Sequence, residues 1–317
     1  MKGWRSPVLA LLPLALGLGG YWLYWSGKAD DFGSAVASVV GQQPDMRGFP
    51  YSLRADLPTL ALDYGDAASL SVRAGQTEIS TGPFGSSIAV ITVADAGVEA
   101  ALGGLPGLSI EMGSAFAQAS LRYSNQIDRL SLVAEQAQLS SPLFARPVGA
   151  AGLEVHIRET PNAEPAAGAT APAQAEARVS GTFRFAEDLV LGAVLPLTVT
   201  DDGPLDSLAG WRDGGTVEID GGLLSGTDGA ALAGFDATVA ALPGGRMAVG
   251  GTLTTDCPLT VSWLLGGGAR PDEEFRRRLP AKFALGGTLD APTLRELDTP
   301  SGGLARNREP PCPDLRR

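Results

Sequence analysis

The residues of this chain with the clearest chemical reach are two cysteines, Cys257 and Cys312, and a single histidine, His156. Adjacent carboxylates such as Asp30-Asp31, Asp201-Asp202 and Glu273-Glu274 complete the set. Zinc sites draw on clustered Cys and His, and one histidine with two distant cysteines supplies no such cluster, so no metal site is assigned. Nucleophilic catalysis by Ser or Cys needs an adjacent base. His156 sits in Glu154-Val155-His156-Ile157-Arg158, an alternating stretch that reads as the solvated face of a strand. No G-x-S-x-G elbow, phosphate loop, strand-coupled dinucleotide fingerprint or H-E-x-x-H pair occurs. Glycosidase chemistry needs two carboxyls facing one sugar, whereas neighbours on a strand point to opposite faces. The carboxylate pairs therefore read as caps, turns or solvated faces. No catalytic and no cofactor-binding residue is assigned, and the chain reads as a non-enzyme. In an oxidising compartment Cys257 and Cys312 would form one disulfide, worth roughly 3–4 kcal/mol in the chain-entropy model. Otherwise they are two unrelated thiols.

Something must position these residues, and composition limits what it is. The chain has 317 residues with 44% hydrophobic but only 6% aromatic content, and 42 glycines with 23 prolines favour short strands and turns over long helices. A formal charge of -11 argues against nucleic acid as a partner, because binding phosphates requires a basic surface. The basic run Arg276-Arg277-Arg278 follows Asp272, Glu273 and Glu274 and reads as a charge-balanced helix face over 272–279.

Residues 6–27 carry no charge, and within them 8–25 reads VLALLPLALGLGGYWLYW. A span of ~20 apolar residues matches the ~30 Å hydrocarbon layer. Val8, Leu12 and Leu16 would face lipid, while Trp22 and Trp25, with Tyr21 and Tyr24, gather at the outer end where amphipathic rings favour the headgroups. Lys2 and Arg5 put the start on the cytoplasmic side and the bulk of the chain in the periplasm. A cleaved signal peptide is the alternative; the bulky outer end lacks the small-x-small site it would need.

The expected organisation is a cytoplasmic stub and transmembrane anchor over 1–27, then a juxtamembrane helix and linker over 28–47. A β-rich periplasmic domain over 48–298 and a polar tail over 299–317 follow. In the second segment Phe32, Val36, Val39 and Val40 fall at helical spacing behind Asp30-Asp31, with Pro44 as the terminator. From Gly48 the period becomes two, with short strands expected at 51–57, 60–64, 69–74, 88–93, 116–123 and 130–134. Residues 94–105 allow a short helix. Residues 161–176 read as a flexible loop, 179–185 as a strand, and 185–197 as either a helix or a buried strand. A hairpin is expected over 232–242 and 246–256. Gly250-Gly251-Thr252-Leu253 recurs as Gly286-Gly287-Thr288-Leu289, suggesting two related strand-turn units. The fold class is thus mainly β: a transmembrane helix, a short amphipathic helix, then an antiparallel, curved or sandwich-like sheet with a few short helices.

The N-terminal apolar helix, the short helix after it, Gly48-Phe49-Pro50 opening the first strand and late phrases such as Gly251-Thr252-Leu253 resemble the alphaproteobacterial envelope family called domain of unknown function 2125. That resemblance implies no catalytic residues. The phrase GGTLDAPTL, from Gly286, is similar to segments of the AsmA-like envelope proteins, a resemblance that implies a tethered, curved β-sheet whose apolar face holds acyl chains. The expected partners are the inner membrane and a lipid or lipidated protein. The alternative is a scaffolding module that recruits other envelope proteins.

Overall fold

A computed structural model of the chain describes residues 5–64, 68–85, 87–102, 109–123, 127–141, 146–163, 171–186, 189–201, 215–242, 246–266, 278–297, 312 and 315, with side chains described from Pro13 onward. The first element is one continuous helix, α1 (Arg5–Val40), rather than an anchor followed by a separate short helix. The stretch Ser26-Gly27-Lys28-Ala29-Asp30-Asp31 contains no proline, and one glycine costs only about 1 kcal/mol in a helix already nucleated on both sides. Asp30 and Asp31 therefore lie inside the helix instead of capping it. Gly41, at φ 74°, ends it: its N–H donates to the Ala37 carbonyl at 2.8 Å, the left-handed cap that glycine adopts without Cβ strain. Pro44 comes after this cap and is not the terminator. Among the described residues no helix is long and apolar enough to cross a membrane. The side chains of Val8 and Leu12 lie outside the described residues; Leu16 and Trp22 are exposed, and Trp25 is buried.

Beyond the helix, the described residues form a 16-stranded, curved and open antiparallel sheet. Its strands are β1 (Asp45–Arg47), β2 (Leu53–Leu57), β3 (Leu60–Tyr64), β4 (Ala68–Ala74), β5 (Thr77–Thr81), β6 (Ile88–Leu102), β7 (Ser109–Tyr123) and β8 (Ile127–Ser140). The second half comprises β9 (Val148–Ala163), β10 (Ala173–Ala186), β11 (Leu189–Thr200), β12 (Thr216–Ser225), β13 (Ala231–Leu242), β14 (Arg246–Thr255), β15 (Ala281–Thr288) and β16 (Ala291–Leu297). From β5 onward each strand pairs with the next in sequence. The fourteen strands of the main path span roughly 60 Å at ~4.8 Å per strand. Among the described residues a second helix, α2 (Pro258–Gly266), follows β14.

The central strands are about twice as long as their alternation suggests, because each is bent rather than ended at its irregularity. Buried positions run Val148, Ala150, then Leu153 on β9, and Met112, Ser114, then Ala117 on β7. On β8 the step is from Ala134 to Ala137. A spacing of three replaces the spacing of two at one level across neighbouring strands. Strict alternation beyond that point would turn the second half of each apolar set outward; the extra residue keeps it on the same face while bending the strand. Asp95 (φ 51°) and Gly152 (φ 58°) occupy this crease in left-handed conformations. Beside Asp95, Gly75 donates its N–H to Ala94 O and Ala94 donates to Gln76 O, both at 2.9 Å, so β4 and β5 act as one bent strand against β6. Residues 94–102 are accordingly strand and not helix, and 189–200 is strand as well. The ladder also reaches both ends of the Ala/Pro-rich stretch read as a loop, with β9 running to Ala163 and β10 starting at Ala173. The hairpin of β13 and β14 matches its expected limits closely.

Among the described residues, buried side chains gather in three regions of the sheet. At one end α1 lays Trp25, Ala29, Phe32, Val36 and Val40, a helical stripe, onto Leu53, Ala55, Leu57 and Leu60. At the other, α2 and the chain's tail cover β11 and β13–β15: Val261, Leu315 and the bridged Cys257–Cys312 pack with Leu232, Leu253 and Phe283. The tail is thus not wholly polar and solvated, since Leu315 is 1% exposed and its carbonyl accepts the Val190 N–H at 3.0 Å. The third cluster, in the middle, consists largely of alanines with Met112 and Leu153. Of the helix expected over 272–279, residues 272–277 lie outside the described residues. Arg278 and Leu279 are not helical, and Leu279 donates its N–H to Asp256 O at 2.7 Å.

Candidate functional site: a half-exposed apolar sheet face

The paired registers assemble the site one residue per strand. Ala89, Leu121, Leu130, Ile157, Ala177, Leu197, Ile219, Ala237, Gly251, Leu285 and Leu294 are successive ladder partners from β6 to β16. Two residues along each strand, and so on the same face, runs a second row: Ile79, Ile91, Ala119, Leu132, Val155, Val179 and Leu195. The row flanking the first on the side away from the second points the opposite way and is polar: Arg122, Arg129, Arg158, Glu176, Thr198, Glu218 and Thr238. One face of the sheet is therefore an apolar strip and the other is a charged surface.

What separates this strip from an ordinary core is its exposure. All seven residues of the second row are neither buried nor free, and the same holds for Leu121, Leu130, Ile157, Leu197 and Ile219. Among the described residues, the largest fully buried side chains are Leu57, Leu232, Leu315, Val261, Thr77, Cys257 and Cys312. They sit under α1, under α2 or beside them, and none lies on β6–β11. A sheet normally buries its apolar face against a second layer. Here the layer is supplied at both ends and thin in the middle. The strip's own backbone groups are satisfied by the ladders, so it offers contact without hydrogen bonding, a surface suited to alkyl chains at about 0.8 kcal/mol per buried CH2.

The polar face holds His156, the one histidine that sequence reasoning weighed for catalysis. A depression of about 510 Å3 is lined by Arg129, Ser131, His156, Arg158, Glu176 and Arg178, among others. His156 Nδ1 lies 3.0 Å from Ser131 Oγ, and its Nε2 lies 3.6 Å from Glu154 Oε2. Sequence inspection missed this juxtaposition, which depends on the Ser131↔His156 register of β8 and β9. Hydrolysis by such a trio also needs donors for an oxyanion and a base held by a proper hydrogen bond. The Glu154 contact is too long for one, and the β8–β9–β10 ladders engage the surrounding backbone. Across the strands Arg158 and Glu176 pair at 3.0 Å, both side chains about half exposed, an interaction of small energetic weight. Among the described residues no three metal-ligating side chains converge.

Among the described residues, the groups with resolved pKa shifts, Arg47, Asp63, Arg73 and Asp290, lie at the surface. Hydrogen bonds from Arg73, and then from Ser71, hold the Asp63 carboxyl below its ordinary value of 3.8 on the β3–β4 hairpin. A depressed folded value means that this pair supports the hairpin above the unfolded carboxyl's range and loses that support as pH falls through the folded value. Titration of Asp63 followed by NMR should give a midpoint below 3.8, and Arg73→Gln should raise it.

Of the site residues expected from sequence, Cys257 and Cys312 are joined, with Cα atoms 5.7 Å apart. Trp25 packs beneath the sheet edge and donates its indole N–H to Ser52 O at 2.9 Å. Comparison of the chain with family models, with curated proteins and with solved structures gives no match.

Proposed function

We propose that the chain is a membrane-tethered periplasmic protein, without catalytic activity of its own, that receives the acyl chains of a lipid or lipidated partner along its apolar strip. One observation carries the reading: beside the alanine-rich buried cluster, the two apolar rows on β6–β11 are only partly buried, while α1 and α2 cover both ends of the same face. The uncharged residues 6–27 act as the tether, with Lys2 and Arg5 holding the start in the cytoplasm. The resemblance to the domain of unknown function 2125 and AsmA-like envelope families points the same way, toward envelope maintenance or lipid movement. A strip about 50 Å long at ~4.8 Å per strand exceeds the length of one acyl chain, so it suits sliding as well as holding.

Scaffolding through an exposed strand is the competing function. The outer strand β16 carries Pro292, Arg295 and Glu296, features that blunt an edge against pairing with another chain. This disfavours recruitment by strand addition.

Native mass spectrometry of the full chain extracted in mild detergent tests the proposal. The wild-type protein should retain phospholipid, and Leu132→Asp combined with Val179→Asp should lower occupancy by about tenfold or more, since each carboxylate must be desolvated against an alkyl chain. Circular dichroism should show the sheet intact, because both side chains are already partly in water. Lipid-free wild-type protein, or equal occupancy in a folded variant, would refute the reading.

A further inference from the structure

Helix α1 is fastened to the sheet by an aromatic collar. Tyr21 donates its hydroxyl to Pro50 O, Tyr24 donates to Pro83 O at 3.0 Å and Trp25 donates to Ser52 O. Phe49 lies 5.8 Å from the Tyr21 ring and 5.6 Å from Trp25, while Phe84 stacks at 6.0 Å on both Tyr21 and Tyr24. The polar ends of three helix side chains are thus spent on carbonyls of two loops, 48–52 and 82–85. The same loops leave their own rings in the open: Phe84 is 73% and Tyr51 87% exposed. Collars of this kind are costly in water, and the energy is recovered where rings rest between headgroups and hydrocarbon.

The position along the helix identifies the occupant. The collar sits where the uncharged stretch 6–27 ends and Lys28, the first charged residue after it, begins. Trp22 and Leu23, on the same turns, are exposed as well. Resting on the tether reading above, we infer that Phe49, Tyr51 and Phe84 insert into the bilayer interface beside the helix, so that the β-domain stands on the membrane with its Ile88 end down. Aromatic residues of the loops and of the helix then form one belt. Ile88 is exposed on the Arg122 side of the sheet, and its neighbour Ala89, on the other face, starts the apolar row. The foot therefore brings one end of the strip against the acyl region, giving a lipid a route onto the sheet that avoids water. Lys28, beside Phe84 and Tyr24, lies at the height of the phosphates, where a lysine stem extends along apolar surface with its ammonium among headgroups.

Nitroxide labels on the full chain in vesicles of phosphatidylethanolamine and phosphatidylglycerol test the inference. Single cysteines are introduced as Tyr51→Cys, Phe84→Cys, Leu16→Cys and Asp228→Cys, the native pair being bridged and buried. Labels at 51 and 84 should lose relaxation by an aqueous nickel chelate and keep relaxation by oxygen, whereas the label at 228, in an exposed turn, should respond fully to nickel. Position 51 makes no ring contact with the collar, so its label leaves the helix–loop grip intact. If 51 and 84 respond to nickel as 228 does while 16 remains shielded, the foot is wrong and the tether stands. If position 16 also responds to nickel, the tether itself is wrong and the foot falls with it.

Discussion

Removing the bridge with Cys257→Ala and Cys312→Ala is expected to lower the free energy of unfolding by about 4 kcal/mol. The two cysteines are 55 residues apart, and closing a loop of that size restricts the unfolded chain by about that amount in the entropy model. The native state adds to the effect. Both sulfurs are buried with Leu232, Leu253, Val261, Phe283 and Leu315, so the bridge seats the tail in the cluster that covers the end of the sheet. Freed of it, Leu315 is held chiefly by its own packing and by its bond to Val190. Urea denaturation followed by circular dichroism, with and without reductant, checks this. Reductant should lower the wild-type midpoint and leave the double variant unchanged. Equal midpoints for oxidised wild type and variant would show that the bridge contributes nothing to stability.

The second large effect should come from a single methyl group. In Gly251→Ala the added Cβ would lie 2.1 Å from Asp236 O and 2.8 Å from Ala237 Cα, both backbone atoms of β13. Neither can retreat without opening the β13–β14 ladder, so a loss of about 3 kcal/mol or more is expected. The adjacent Gly250 supplies the control, since a Cβ there meets nothing within 4 Å. Gly250→Ala should be near neutral. The second phrase repeats the asymmetry: a Cβ on Gly287, at φ 91°, would lie 2.6 Å from Ala291 O, while on Gly286 the nearest atom is Thr293 Oγ1 at 3.5 Å. Midpoints of the four variants measured side by side test the pattern. Equal loss at Gly250 and Gly251 would count against the close backbone approach as its cause. The repeated phrase thus reflects a shared local need at the second glycine, although the two sit differently: Gly251 is mid-strand, and Gly287 is the last residue but one of β15.

Much of the sheet was legible because alternation is local. The limits of β3, the hairpin of β13 and β14 and the apolar parity of β8 follow directly from side-chain period. The expected strands at 88–93 and 130–134 stop at the crease, and the one expected at 116–123 starts there. Asp95 and Gly152 look like turn residues in sequence, and only the neighbouring strand, bending at the same level, makes them bulges inside longer strands. The same applies to Ser131 and His156, whose contact is a matter of register between strands.

By itself the sequence determined the β-rich class, the apolar side of the strand segments it marked out by alternation, the absence of familiar catalytic motifs and the uncharged N-terminal run, since each depends on residue type and near-neighbour spacing. Tertiary structure decided that one helix runs unbroken to Gly41, that Cys257 meets Cys312, and that the apolar rows join into a strip covered at its ends and thinly covered between them. Those outcomes depend on which distant segments share a face. Burial is a property of the neighbours a side chain acquires, and the identity of those neighbours is not written in the spacing along the chain.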